Sequence, residues 1–299
     1  MATTPTSAVA PGDAPACPGP PPPSGATRFT PPPGSVDTHA HVIGVPPEYG
    51  FVASRSYTPP EASEDAYIAM LDAAGMSYGV LVQVSVHGTD NRLMHQALLA
   101  HPDRLRGVAV LGLATPPIEL QELHDAGVRG LRLNVLYGGG MGLDHLVEYG
   151  ALCHDMGWHL QLLLDARTLP ELVRPLSRLP VPVVVDHMGH FPAELGVGSP
   201  GFQALLSLVR DGGWVKLSGA YRLGGPPYAE SAPLARALLK AAPSRCVWGS
   251  DWPHVATWDA MPRVGELLDL LADWAPDPAQ RKAVLVDNPA RLYGFRPPL

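Results

Sequence analysis

The stretch Ser35-Val-Asp-Thr-His-Ala-His-Val-Ile43 is an apolar run that ends in two histidines one residue apart. In a strand, side chains at i and i+2 face the same side, so His39 and His41 project together, about 6–7 Å apart along the backbone. Two imidazoles facing one space can bind a metal or polarise one oxygen atom. Alone, a His-x-His pair is commonly no more than a polar loop. Two further stretches give it weight: Val184-Val-Asp-His-Met-Gly-His190 and Val247-Trp-Gly-Ser-Asp-Trp-Pro-His254 also end hydrophobic runs in acidic and imidazole side chains. Strands of a parallel barrel deliver catalytic groups to one rim in this manner.

Outward from these stretches, short apolar segments alternate with amphipathic ones. The pattern predicts strands at Val36–Ile43, Tyr78–Ser85, Arg106–Gly112, Val128–Asn134, His159–Asp165, Val181–Met188, Trp214–Gly219 and Cys246–Ser250. Helical spacing predicts helices at Glu61–Gly75, Asn91–His101, Pro117–Ala126, Leu143–Met156, Leu169–Leu179, Phe202–Arg210, Ala229–Ala241 and Val264–Trp274. Eight βα units imply parallel strands with right-handed crossovers that close a single (β/α)8 TIM barrel, an α/β fold. A last helix, Pro278–Val286, and the segment Asn288–Tyr293 are expected to pack across the outside.

Composition narrows the partners. The 299 residues are 46% hydrophobic, enough for one large core, and the net charge of −7 without a basic cluster argues against nucleic acid or an anionic membrane surface. No apolar run reaches the ~18–20 residues that cross a bilayer. Cys17, Cys153 and Cys246 are widely spaced, without a CxxC pair, which fits a reducing cytoplasm. Residues 1–33 are crowded with Pro, Ala, Thr and Gly, so a disordered or extended tail is expected there and a barrel domain over 34–299. A monomer and a homo-oligomer are both compatible with this composition.

Asp37-Thr-His-Ala-His41, Asp186-His-Met-Gly189 and Gly249-Ser-Asp-Trp-Pro253 resemble the amidohydrolase superfamily at the ends of its first, sixth and eighth strands. Ser56-Tyr-Thr-Pro-Pro60, Val82-Gln-Val-Ser85, Gly130-Leu-Arg-Leu-Asn134, Trp158-His-Leu-Gln161 and Lys216-Leu-Ser-Gly219 extend the resemblance to the branch of the 2-pyrone-4,6-dicarboxylate lactonases and sugar lactonases. The resemblance implies a hydrolase that opens a small, carboxylated lactone in aromatic or sugar-acid catabolism. It places the catalytic acid at Asp251 and the substrate-carboxylate arginine at Arg132. Tyr57, Ser85 and Arg222 fall at substrate-binding positions by motif, and His190 joins them where the family carries a further arginine.

Opening a lactone needs an activated water, donors to the oxyanion and an acid for the leaving oxygen. Asp251 is the candidate base, and partial burial beside Trp252 and Pro253 is expected to raise its pKa. His39, His41 and His187 are expected to donate to the carbonyl oxygen, with Asp186 as a supporting carboxylate. The histidine that metal-dependent relatives carry at the end of strand five is missing, because His159 stands at its beginning. The expectation is therefore no required metal; the alternative is a single zinc on His39, His41 and Asp251. Two other readings remain at this point: a zinc-dependent amidohydrolase or decarboxylase of the same superfamily, and a non-catalytic binding barrel.

Overall fold

The computed structural model describes residues 14–296. In chain order the elements are β1 (Val36–Ala40), α1 (Glu64–Ala74), β2 (Tyr78–Val82), α2 (Arg92–Ala100), β3 (Leu105–Ala109), α3 (Pro117–Ala126), β4 (Val128–Asn134) and α4 (Leu146–Met156). There follow β5 (His159–Leu163), α5 (Leu169–Leu176), β6 (Val183–Val185), α6 (Pro200–Arg210), β7 (Trp214–Leu217), the one-turn α7 (Ala220–Leu223), α8 (Ala232–Ala241) and β8 (Cys246–Trp248). Helices α9 (Val264–Trp274), α10 (Pro278–Lys282) and α11 (Asn288–Tyr293) end the described chain. Neighbouring strands pair in parallel in sequence order from β1 to β8, as the alternation predicts. The ring closes just past β8, where Asp251 N–H donates to the His39 carbonyl and His41 N–H to that of Trp252, both at 2.8 Å. The closing bonds thus run through His39, His41 and Asp251, three of the expected catalytic residues.

Alternation along each strand divides the barrel into a wall and an interior. Leu81, Leu105, Leu131, Leu160 and Val215 face the helices in the main core. The lower interior is apolar: Val36, Val80, Val82 and Val108 pack with Tyr293 and Phe295, and Val184, Trp214 and Val247 with Leu292. Helix α11 therefore plugs the barrel floor instead of crossing the outside, since its Leu292 and Tyr293 find apolar partners only there. Above this layer the buried residues turn polar, with Arg132, Gln161, Asp186 and Lys216.

The expected strands run too long at the catalytic rim. Strand β6 stops at Val185 because His187, Met188 and His190 take φ near +50°, and β8 stops at Trp248 with Asp251 and His254 at +61° and +65°. Left-handed residues cannot continue a strand, and Asp and His tolerate that region better than most. A residue held there costs on the order of 1–3 kcal/mol, which the surrounding structure must offset.

Of the two forms expected for the tail, residues 14–33 take the extended one. Residues 1–13 lie outside the described residues, but 14–33 lie against the barrel. Cys17 N–H donates to Thr58 O at 2.9 Å and Thr58 N–H to Pro15 O at 2.8 Å, while Cys17 itself is buried. Further on, Thr27 and Arg28 N–H donate to the Asp269 carboxylate on α9 at 2.8–3.1 Å. Composition correctly excludes a helix or strand of its own here, yet extended backbone still has donors and acceptors to satisfy on a neighbour. Deleting residues 1–30 is expected to lower the melting temperature, by about 2–4 °C for each kcal/mol lost in a large domain. An unchanged melting curve for the truncated protein would show that these contacts contribute nothing.

Candidate active site

Asp251 is positioned by a clamp behind it. The buried Asp37 carboxylate accepts from Ser250 N–H at 2.7 Å, Ser250 Oγ–H at 2.6 Å and Tyr67 O–H at 3.2 Å, which ties the segment after β8 to β1. Gly249 permits the close approach, because a Cβ there would stand 2.7 Å from that of His39. The β1 register shifts between Asp37 and Ala40. This lets Asp37 face the helix α1 side while His39 and His41 both point inward, their ring centroids 5.0 Å apart.

The four expected catalytic residues converge. Asp251 Oδ1 lies 3.8 Å from His39 Nε2 and 3.7 Å from His41 Nε2, and Asp251 Oδ2 lies 3.8 Å from His187 Nε2. All four side chains are buried. Asp251 Oδ2 accepts from Tyr221 O–H and from Arg222 Nε–H, each at 2.7 Å, whereas Asp251 Oδ1 and His39 Nε2 have no hydrogen-bond partner. A space bounded by three imidazole nitrogens and one bare carboxylate oxygen suits a water and a carbonyl oxygen.

The backs of the rings set what their inner nitrogens can do. His41 Nδ1 is 2.7 Å from Val82 O, a pure acceptor, so Nδ1–H donates and the neutral ring keeps a lone pair on Nε2. The expectation that His41 donates to the carbonyl oxygen therefore fails: its inner nitrogen accepts. His187 Nδ1 meets Ser218 Oγ at 2.9 Å, a partner that either donates or accepts. His39 Nδ1 meets Lys216 Nζ at 3.3 Å.

The expected recognition residues line the same rim. Arg132 donates from Nε to Asp186 Oδ2 at 3.1 Å, and among the described residues its terminal nitrogens make no hydrogen bond. Tyr57 and Ser85 share a hydrogen bond at 3.0 Å, and the Tyr57 ring packs edge-on against Tyr137 at 5.8 Å. His190 lies 5.7 Å from His187 and 6.3 Å from Tyr137 between ring centroids. Arg222 is drawn into Asp251 and also reaches Tyr137 Oη at 3.3 Å and Val255 O at 2.9 Å. Asp186 is the supporting carboxylate foreseen for it, bonded by Arg132 and by Gln161 Nε2–H at 3.1 Å.

Lys216, Tyr221, Tyr137 and Asp37 escaped the sequence reading as site residues. Lys216 alone left a signal, since a lysine in phase with Trp214 on a barrel strand must point into the interior.

Charge confirms some of this and corrects the rest. Burial on its own raises the Asp251 pKa, but Arg222 and the three imidazoles outweigh it and hold the carboxyl well below its usual range. The expected rise is thus reversed, because the sequence did not disclose Arg222 against the carboxylate. Burial lowers His39 to about 4 and His41 to about 3. It also lowers Lys216 to about 8, although Asp186 opposes the shift.

His39, His41 and Asp251 each offer one ligand atom, all within 4.8 Å of one another, and the bare His39 Nε2 and Asp251 Oδ1 belong to that set. The trio fits a zinc ion as an open three-ligand site. His159 adds nothing to it: its ring lies at the floor, 5.2 Å from that of Tyr293.

Comparison with known proteins gives a consistent picture. The family described as Amidohydrolase matches residues 36–295. The chain is 39% identical to a 2-pyrone-4,6-dicarboxylate hydrolase of Comamonas testosteroni, over 89% of this chain and 92% of that one. It is 36% identical to a 4-sulfomuconolactone hydrolase of Hydrogenophaga intermedia, over 89% and 91%. A solved apo structure from Agrobacterium tumefaciens superposes with a TM-score of 0.82 at 28% identity, covering 90% of this chain and 98% of that one.

The neutral imidazoles predict how stability responds to acid. His39, His190 and His254 titrate near about 4 in the fold and His41 near about 3, against 6.5 when free. Between those values the unfolded chain binds more protons, so their contribution is complete above pH 6.5 and is lost as pH falls toward 4. Asp37, raised to about 6 chiefly by burial, works in the opposite direction, one carboxyl against these four imidazoles and His159, which burial lowers to about 3. Urea titrations at a series of pH values should show the unfolding free energy falling through this window. A flat profile would mean that the rings titrate in the fold as they do in the unfolded chain.

Proposed function

The chain belongs to the amidohydrolase family, and on that premise we propose that it opens a small, carboxylated lactone by hydrolysis. The observation that carries the reading is the bare Asp251 Oδ1 with His39 and His41 Nε2 beside it and His187 Nε2 beside its twin oxygen. The lactone hydrolases to which the chain is similar supply the substrate class, and the anion-ready terminal nitrogens of Arg132 support a carboxylate on it.

In this mechanism the attacking water donates to two acceptors, Asp251 Oδ1 and the His41 Nε2 lone pair, which aim its oxygen at the carbonyl carbon. His39 and His187 face the carbonyl oxygen from the other side and stabilise the charge that grows there. The new C–O bond forms as the water proton passes to Asp251. When the ring C–O bond breaks, Asp251 returns that proton to the departing oxygen. Tyr221 and Arg222 keep the carboxylate ionised and correctly turned, so it is always available and only weakly basic.

Bound by His39, His41 and Asp251, a zinc ion would supply Lewis-acid polarisation of the same carbonyl. We favour hydrolysis without it, because the Arg222 guanidinium already sits against the Asp251 carboxylate and supplies the neighbouring positive charge. A cytoplasmic setting fits the three buried free thiols, Cys17, Cys153 and Cys246.

Purified protein should open 2-pyrone-4,6-dicarboxylate, 4-sulfomuconolactone or a related anionic lactone, followed by the loss of ring absorbance in the ultraviolet. Turnover of none of them, with turnover of amides instead, would sink the reading. Asp251→Asn keeps the size and removes the base, so kcat should fall on the order of 10²–10⁴-fold. Near-normal kcat in that variant would remove Asp251 from the chemistry. Exhaustive chelation should leave turnover intact; loss that zinc restores in proportion to the metal bound would install the zinc mechanism instead.

A further inference from the structure

Lys216 is a fully buried lysine that the mechanism above leaves unused. It projects from β7 into the barrel interior, directly behind His39. Its ammonium donates to Thr38 O at 2.8 Å, reaches His39 Nδ1 at 3.3 Å and lies 3.6 Å from Asp186 Oδ1. An ammonium has three donors and no acceptor, and here three acceptors surround it. If His39 Nδ1 carried a proton, that N–H would point at a cation. Asp186 Oδ1 is also 3.2 Å from His39 Nδ1, but it lies off the hydrogen-bonding direction and has no hydrogen-bond partner. Of the two neighbours, Lys216 is the one that meets hydrogen-bond geometry with the ring nitrogen.

We propose that Lys216 is a positioning residue that holds His39 in its Nε2–H tautomer, so that this imidazole donates to the oxygen of the substrate carbonyl. The proposal rests on the lactone-hydrolase reading for the identity of that oxygen. It explains how two histidines one residue apart do opposite work. The Val82 carbonyl behind His41 leaves a lone pair at the inner nitrogen, for water; the Lys216 ammonium behind His39 leaves a proton there, for the oxyanion. The same proton occupies the lone pair that a metal on His39 would need.

The test reads the tautomer directly. In full-length protein with 15N-labelled histidine, two-bond proton–nitrogen correlation distinguishes a protonated Nε2 from a protonated Nδ1, and the loss of signals in His39→Gln assigns the ring. The expected result is a protonated Nε2 and an unprotonated Nδ1 on His39. A protonated Nδ1 overturns the proposal, whatever the enzyme turns over.

Lys216→Met, which keeps the length of the side chain, should let Nδ1 donate to Asp186 and move the proton off Nε2. The kcat on a lactone substrate should then fall roughly 10²-fold, as for the loss of one oxyanion donor, with KM changed little. Retention of the wild-type tautomer and kcat in a folded variant also overturns it. Should the variant fail to fold, the wild-type spectrum decides alone. Failure of wild type to open any lactone defeats the functional reading and leaves the tautomer result standing.

Discussion

Asp186 is the buried carboxylate on which the upper half of the barrel depends. Arg132 from β4 and Gln161 from β5 donate to one of its oxygens, while Lys216 from β7 and His39 from β1 flank the other. Stripping a carboxylate of water costs several kcal/mol, and only well-placed cations offset it. Burial alone raises its pKa, but His39, Lys216 and Arg132 together hold it well below the usual value. Because breaking such a buried pair costs about 3–5 kcal/mol, the four strands are held to one geometry at the level where the catalytic side chains begin. The network stabilises specific positions more than it stabilises the fold, since an apolar layer in its place would serve folding as well.

What could be read from the residues follows from which interactions are local. The count of eight βα units rests on hydrophobic periodicity within each segment, and α3, β4 and α9 match their expected limits to the residue. His39 and His41 share a face because a strand has a period of two, a property of the backbone alone. The rim was less legible. His187, His190, Asp251 and His254 take left-handed backbone that only tertiary contacts enforce, which shortens the expected strands. The Asp251 charge state depends on Tyr221 and Arg222, carried in by a one-turn helix whose docking no spacing rule announces. The proline-rich tail was legible as extended but not in its docking: it lacks the residues to build a core, and it needs only backbone partners to lie on one.

The proposed mechanism divides one side-chain type among three roles. With every ring neutral near pH 7, function depends on which nitrogen holds the proton, and that is set behind the ring, away from the substrate. The constraint on His41 is a main-chain carbonyl, which no side-chain substitution alters. For His187 it is a hydroxyl, free to donate or accept, so in the proposed mechanism this ring can follow the changes of charge. A neutral imidazole with an adaptable partner suits the carbonyl oxygen, which passes from neutral to anionic and back.

The charges that face the cavity point to the kind of substrate that completes it. Arg132, Lys216 and Arg222 bring three cations against the two carboxylates Asp186 and Asp251, while Asp37 lies on the far side of β1, held by Ser250 and Tyr67. One positive charge is left over among these buried groups. Lys216 is covered on all sides and Arg222 is bound to Asp251, so the surplus is expressed where donors remain unpaired, at the terminal nitrogens of Arg132. The proposed substrate carboxylate would neutralise it there, because a planar carboxylate matches the guanidinium fork in two parallel hydrogen bonds. In the proposed reaction, binding and chemistry then share one electrostatic requirement: the substrate brings a negative charge to Arg132, and its carbonyl is one on which a second can develop.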